Sequence, residues 1–484
     1  MKRTIGKAGH ALLSLALLLS GCGSSDGGGG SGGITGPTPT PTPGNSACTL
    51  AARQTWALAQ VREWYLFPET LPASVDFAAY ADLPSFVDAL TATARAQRRD
   101  RYFTHIASIA DEDAYYDSGE SAGIGVRLKT DLAARQAWVS EAFEGAPGLV
   151  AGLDRGTQIL AVGSSENSLR TVSDILTASG EQGLTDALGP TSAGTTRALR
   201  VRDPGGAERV VSVTKAVYDL TPVSARYGAR VIEEDGRKVG YINLRTFIAT
   251  ADPALRTAFA SLGAQGVDEV IVDLRYNGGG LTSIAALLGN LLGGNRRTSD
   301  IQTQFAYRPE KASENETIRF APRAESVSPR KIAFIGFEGT ASASELVINA
   351  MIPWLHADVA LVGGNTYGKP VGQIAIDRAA CDDRLRIIAF AGKNAAGNGD
   401  YYSGLAASME ATCRAGDDVT RPFGDPQESS IRVALDWLAG RGCTSIASAT
   451  ASGVRAASLP GAGSRLLVPE RPTTPQQREV PGIF

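Results

Sequence analysis

KIAFIGFEGTASASELVINAM, residues 331–351, decides how this chain is read. It opens as an apolar strand, passes through a short polar turn and continues as a helix. Strand, turn and helix in immediate succession form the repeating unit of a mainly parallel sheet. Ser342 stands three residues before Glu345, the S-x-x-E spacing of a helix capping box. The same position also suits a serine nucleophile. The helix dipole there favours developing negative charge, and the N–H of Ala343 is free to hold an oxyanion. The stretch alone leaves both readings open. Ser344 lies inside the helix start, and its hydroxyl should point elsewhere.

The flanking sequence repeats the pattern. KVGYINLRTF (238–247) reads as a strand, PALRTAFASLGAQG (253–266) as a helix, and VDEVIVDLRYNGGG (267–280) as an apolar strand ending in a glycine turn. LTSIAALLGNLL (281–292) is the next helix, and DVALVGGNTYGK (358–369) a further strand and turn. In such a sheet, function is expected at the carboxyl ends of the strands. Three ends matter: DLRYNGGG, GTASASE and TYGKPVGQ. The first lacks the Lys-Ser/Thr ending of a phosphate loop and the spacing of a dinucleotide fingerprint. Its glycines let a backbone N–H approach a reacting oxygen.

A nucleophilic serine needs a base. Of three histidines, His10 lies in an N-terminal signal, His105 in a helical region, and His356 beyond the helix that Ser342 begins. None stands at a strand end, so a Ser-His-Asp triad has little support. Lys369 does stand just after a strand. An amine acts as base only when neutral, which requires apolar burial to lower its pKa. Its neighbours Tyr367, Gly368, Pro370 and Val371 carry no charge. For a lone lysine, a surface turn would be the plainer reading.

Upstream, TLAARQTWALAQVREWYLF (49–67) and LPSFVDALTATARAQRRD (83–100) carry apolar residues at helical spacing. Residues 47–115 are therefore expected to form an N-terminal helical domain. From about 119 the period shortens to that of strands. AGIGVRLKT (122–130), AWVSEAF (137–143) and TQILAVG (157–163) alternate, and TRALRVRDPGGAERVVSVTKA (196–216) is a hairpin turning at Pro204-Gly205-Gly206. This order, over 119–218, resembles a PDZ domain of the bacterial protease type. The resemblance places Gly123, Ile124, Gly125 and Val126 where backbone N–H groups bind a peptide's terminal carboxylate and a strand edge accepts the peptide.

The three strand ends, taken in order, resemble the carboxyl-terminal processing (tail-specific) proteases, serine peptidases with a Ser/Lys dyad. Asp273–Gly280, Ser342–Glu345 and Gly368–Gln373 match that family's DLRxNxGG, SASE and GK-x-x-x-Q segments. The resemblance implies a multidomain α+β chain with an N-terminal helical domain, a PDZ-like β domain and a crotonase-like α/β peptidase core over 219–445. It makes Ser342 the nucleophile, Lys369 the general base and Gln373 the residue orienting it. Gly279 and Ala343 become the oxyanion donors, and no metal or organic cofactor is implied. The chain departs from the family in three places. Gly278 stands where proline or another small residue is common. The Ser342–Lys369 spacing is slightly long. Residues 375–430 are longer and carry cysteines. Relatives of this core that bind ligands without a dyad, and an esterase on the same scaffold, are the competing readings.

The chain ends bear on location and order. Lys2, Arg3 and Lys7 precede ALLSLALLLS (11–20), too short an apolar run to span a bilayer. LSGC (19–22) resembles a lipoprotein signal, so residues 1–21 are expected to be removed and Cys22 lipidated. Gly23, rather than aspartate, then favours the outer membrane of the cell envelope, with the protein facing the periplasm. Residues 22–46, rich in Gly/Ser and then Pro/Thr, read as a linker. A net charge of −3 gives no basic field for nucleic acid. Cys48, Cys381, Cys413 and Cys443 suit two disulfides in an exported chain. Of three possible pairings, Cys381–Cys413 with Cys48–Cys443 is preferred. Residues 446–484, rich in Ala, Ser, Gly and Pro and ending EVPGIF, are expected to be disordered. Whether that end is a substrate or a plug for the PDZ-like groove is left open.

Overall fold

The computed structural model describes residues 46–446 and 464–484. The signal sequence, Cys22 and the linker to residue 45 lie outside these described residues, as do residues 447–463. The first elements are helices α1 (Leu50–Trp64), α2 (Leu83–Leu90) and α3 (Ala92–Ala96), strand β1 (His105–Ser108) and helix α4 (Ile109–Ser118). Asp82 caps α2 by accepting from the Ser85 N–H at 2.7 Å, and a proline occupies its first turn. The apolar face of α1 and α2 buries Val61, Tyr65, Phe86 and Leu90.

A β-rich stretch follows: β2 (Glu120–Gly123), β3 (Val126–Asp131), β4 (Gln136–Ala142), α5 (Pro147–Val150), β5 (Gln158–Gly163), β6 (Arg170–Thr171), α6 (Val172–Leu188), β7 (Thr196–Arg202), β8 (Glu208–Thr214) and β9 (Ala216–Asp219). Strands β7 and β8 pair from Thr196↔Thr214 to Arg202↔Glu208 around the Pro204-Gly205-Gly206 turn. Strand β3 pairs with β4, β4 with β5, and β5 with β7. Strands β2 and β9 form a separate antiparallel pair.

The remaining elements are β10 (Ala229–Glu234), β11 (Arg237–Asn243), α7 (Ala251–Ala264), β12 (Glu269–Asp273), α8 (Thr282–Leu292), β13 (Ile301–Tyr307), β14 (Glu316–Arg319), β15 (Lys331–Gly336), α9 (Ala343–Leu355), β16 (Val359–Gly363), β17 (Val371–Arg378), β18 (Asp383–Lys393), β19 (Ala411–Arg414) and α10 (Ser429–Leu438). A six-stranded sheet runs β10-β11-β12-β15-β16-β19 and is parallel from β11 onward. Its central strands are buried on both faces. Val270, Val272, Ile332 and Phe334 face the helices α7, α8 and α9. Ile271, Ala333 and Ile335 face α10. A strand covered twice needs apolar residues at successive positions, which is why VIVD and IAFI lack alternation. A second sheet, β1-β18-β13-β14 with β17 on β18, is antiparallel.

Two expectations, on the disulfides and on the final segment, are corrected here. Residues 47–115 are mostly helical, with one strand, His105–Ser108, paired with Arg386–Asp383 of β18. The apolar faces of α1 and α2 also close over Val371, Leu385, Ile387 and Ile388. The disulfides are Cys48–Cys381 and Cys413–Cys443, with Cα separations of 5.5 and 5.4 Å. Spatial neighbours rather than chain ends set the pairing: the start of α1 lies against the turn after β17, and residue 443 lies beside β19. Finally, residues 464–484 are ordered. Strand β20 (Arg465–Leu466) pairs with β3, and helix α11 (Pro475–Glu479) follows. Composition hid this, because the ordering rests on few residues: Leu466, Leu467, Val480, Ile483 and Phe484 are all buried.

Buried charges fasten the β-rich part to the six-stranded sheet. Asp417 accepts from Lys129 (2.6 Å), Arg155 (2.9 Å) and Arg275 (3.1 Å). Arg275 also binds Asp273 (3.0 Å) and Glu428 (2.9 Å). Arg245 joins Glu141 and Glu144 at 2.6 Å each. Such clusters hold together only while complete, since an unpartnered buried charge is costly. Arg275→Met is expected to lower stability in urea denaturation by about 3–5 kcal/mol. A loss under about 1 kcal/mol would show that the surrounding carboxylates relax into solvent instead.

Candidate active site

The parallel strands deliver their carboxyl ends to one edge. After β12 come Leu274–Gly280, after β15 Phe337–Ser342, and after β16 Gly364–Pro370. Ser342 lies at the head of α9 with φ 54° and ψ −115°. This left-handed conformation is costly for a residue with a Cβ, of order 1–3 kcal/mol, and such residues gather at functional sites. The sharp turn from strand to helix is what lifts a nucleophile clear of its own backbone.

The serine hydroxyl faces the Glu345 N–H in the capping-box arrangement without closing a well-formed capping hydrogen bond. Glu345 has the larger task. Its buried carboxylate accepts from the Ser342 N–H (3.1 Å), the Gly368 N–H (2.7 Å) and the Lys369 N–H (2.7 Å). One side chain thus joins the head of α9 to the turn that carries the lysine. Burial pushes its pKa up, and these hydrogen bonds oppose the shift. The sequence shows the S-x-x-E spacing but not the reach of Glu345 to a second turn.

Ser342 and Lys369 line one small recess with Val371, Gly372 and Phe390. Lys369 Nζ donates to Gln373 Oε1 at 2.9 Å, and Gln373 Nε2 donates to the Phe103 carbonyl at 2.5 Å. The ammonium end lies 4.8 Å from the centroid of the Phe103 ring. Burial lowers the lysine pKa, with Glu479 opposing and Arg478 assisting. Arg101 donates to the carbonyls of Tyr367 (3.1 Å) and Gly368. The N-terminal helical region therefore supplies part of the lysine's surroundings, and nothing in its periodicity signals this.

The structure also changes the account of the histidines. His105 lines the same cavity of about 440 Å³ as Lys369 and Gln373. Its Nδ1 lies 2.8 Å from the Phe103 carbonyl, and burial lowers its pKa to about 4. It does not line the recess that Ser342 and Lys369 share. His356 sits past α9 and contacts Glu410 at 3.1 Å.

Gly279 packs directly on the serine: a Cβ there would lie 2.8 Å from Ser342 Cβ. Its N–H donates to Asn277 Oδ1 at 3.0 Å, while the neighbouring Gly278 N–H donates to the Glu479 carbonyl at 2.9 Å. Ala343 is the first residue of α9. Gly123, Ile124, Gly125 and Val126 form the loop from β2 into β3 and are filled by the chain's own last residue. The Gly125 N–H donates to the Phe484 oxygen at 2.7 Å, and the Phe484 N–H donates to the Val126 carbonyl at 2.9 Å.

Residues 238–387 match Peptidase family S41. The chain is 28% identical over 253 residues to a carboxyl-terminal-processing protease of Synechocystis sp., covering 52% of this chain and 54% of that one. It is also 28% identical over 255 residues to a protein of the same description from Picosynechococcus sp., covering 52% and 55%. The chain spans about half the length of these curated relatives. A crystal structure of a Bacteroides fragilis protein assigned to the S41 proteases superposes with a TM-score of 0.61 at 24% identity. The match covers 80% of this chain and 97% of that one, and shows a shared fold. Residues 238–387 thus form a region of the S41 peptidase type, and about half of the chain is similar to carboxyl-terminal-processing proteases.

Gly279→Ala tests the packing at the serine. Gly279 and Gly266 both have positive φ, but a Cβ at Gly266 meets nothing within 4 Å. Gly266→Ala should cost only backbone strain, about 1 kcal/mol. Gly279→Ala should cost more and should also suppress covalent labelling of Ser342 by a phosphonate probe. Equal stability and equal labelling of the two variants would contradict the contact.

Proposed function

We propose that this chain is a serine endopeptidase working through a Ser342/Lys369 dyad on polypeptides presented by their C-terminal tails. The observation that carries the reading is the Glu345 clamp, which fixes the serine's helix and the lysine's turn together beside a recess that both line.

Neutral Lys369 Nζ takes the proton from Ser342 Oγ as the oxygen attacks the scissile carbonyl carbon. The carbonyl π pair moves onto oxygen, which is held by the Ala343 N–H and a glycine N–H of the Asn277–Gly280 turn. The Gly279 N–H must release Asn277 to serve there. Collapse breaks the C–N bond, and the lysine ammonium gives its proton to the leaving amine. A water, deprotonated by the same lysine, then attacks the ester carbonyl. This frees the acid and restores the Ser342 hydroxyl. Gln373 holds the amine without a charge that would favour its protonated form, and Phe103 excludes water from one side.

The β-rich region over 119–218 is read as the PDZ-like module, with Gly123–Val126 as the tail-binding loop. Lipidation at Cys22, a tether of residues 22–46 and a periplasm-facing place on the outer membrane complete the proposal. Among the described residues no helix is long and apolar enough to cross a membrane.

Two tests follow. Ser342→Ala and Lys369→Ala should each lower kcat on an unfolded protein by at least about a thousandfold with the fold retained. Preserved turnover in either variant would remove it from the dyad. The pH dependence has a fixed sign. The lysine is inactive when protonated, so the rate should rise with pH through the folded-state pKa of Lys369. Burial places that value below the ordinary lysine range; Arg478 and Arg386 press the same way, and Glu479 and Asp100 oppose. A rate peaking near pH 5 would contradict the role of Lys369.

A further inference from the structure

Residues 464–484 lie along both parts of the site just described. The segment begins as a strand on the edge of β3, with Arg465↔Thr130 and Leu466↔Lys129. It then crosses, as α11, to the cavity that Lys369 and Gln373 line. There the Gly278 N–H donates to the Glu479 carbonyl at 2.9 Å, and a Cβ on Gly278 would meet the Arg478 oxygen at 2.6 Å. The Glu479 side chain reaches inward: a Cβ on Gly279 would lie 3.2 Å from its Oε2 and 2.8 Å from Ser342 Cβ. Tyr116 donates to Glu479 Oε1 at 3.0 Å. The last three residues return to β3. The Leu128 N–H donates to the Gly482 carbonyl at 2.8 Å, Ile483 bridges Arg127, and Phe484 binds Gly125 and Val126. A Cβ on Gly123 would meet the Phe484 carbonyl carbon at 2.8 Å, so that glycine admits the docked residue. Phe484 is buried in the cluster of Ile124, Val126, Val139 and Leu199.

We propose that residues 464–484 are an internal ligand of this site, a strap that keeps the molecule shut by filling the Gly123–Val126 loop with Phe484 and by placing Glu479 in the cavity that Lys369 and Gln373 line. The inference rests on the peptidase reading for its effect on turnover, but not for the docking itself. The chemistry specifies what displaces the strap. A competing polypeptide must add a strand to β3 and place apolar residues where Ile483 and Phe484 lie, as in strand-addition recognition generally. Glu479 adds a second block. Its carboxylate faces Lys369 and favours the charged amine, the form that cannot act as base. Arg478 partly offsets this from the same helix. Because the strap is tethered, a competitor works against an effective concentration of order millimolar. Free tails at low concentration are therefore excluded.

The test compares the full chain with its Ile483→Asp/Phe484→Asp variant, using a fluorescein-labelled peptide of residues 475–484. The variant should bind the peptide at least about tenfold more tightly and should cleave an unfolded reporter protein several-fold faster. Equal peptide binding by the two proteins overturns the strap. Tighter binding by the variant, with no cleavage by either, leaves the strap standing and removes the peptidase reading. Faster cleavage without tighter peptide binding overturns the docking of Phe484. A block in the full chain that weakens on dilution would place the segment in a neighbouring molecule and overturn the internal assignment. Hydrogen exchange on the unaltered chain needs no variant. The Gly125 and Leu128 amides should exchange slowly, and unprotected exchange there contradicts the strap.

Discussion

The site depends on one buried carboxylate. Glu345 sits at the third position of α9 and accepts backbone N–H groups from its own helix and from the Gly368–Lys369 turn. A carboxylate in an apolar interior is unfavourable unless such donors satisfy it. The penalty is what gives the clamp its precision: moving the turn away from the helix would strand a buried charge. The strained φ of Ser342 is held by the same contact, since its N–H is one of the three donors. The head of α9 and the lysine's turn are thus placed by backbone hydrogen bonds, while the Lys369 amine is held separately by Gln373 Oε1 at 2.9 Å.

Around that clamp the chain assembles a low-dielectric chamber from distant parts. Phe103 and Arg101 come from the N-terminal region, Gln373 from β17 and Glu479 from α11. The Cys48–Cys381 bond and the β1–β18 pairing keep the N-terminal region on the antiparallel sheet of β17 and β18. Lys369 is bonded to a neutral amide oxygen, that of Gln373. Lys129, by contrast, is buried against Asp417 at 2.6 Å and serves as structure. The two lysines therefore differ in partner, a neutral amide for Lys369 and a carboxylate for Lys129.

Much of this was legible in the sequence where local pattern and position coincide. Apolar runs such as VIVD and IAFI specify doubly covered strands. The glycine turn, the serine and the lysine each follow such a strand, so their convergence at one edge follows from the topology of a parallel sheet. What was not legible depends on long-range packing. Cys48 pairs with Cys381 because α1 folds onto the turn after β17, which no spacing rule encodes. Phe103 and His105 reach the lysine chamber only because β1 joins the β18 sheet. The final segment, residues 464–484, follows Ala-, Ser- and Gly-rich sequence and, grouped with it, reads as disordered. Its order comes from a few apolar residues whose partners lie more than three hundred residues away, as with Arg127 and Ile483. The S-x-x-E spacing was visible, but its reading as a local cap concealed the turn that Glu345 also grips.

The most direct measurement is the separation of Ser342 Oγ and Lys369 Nζ in a crystal structure with a peptidyl boronate bound to the serine. The account predicts hydrogen-bond reach, about 2.6–3.2 Å, with a boronate oxygen facing the Ala343 N–H and the Glu479 side chain displaced. A boronate bound to Ser342 with the lysine turned into solvent, or held beyond one bridging water, would contradict it.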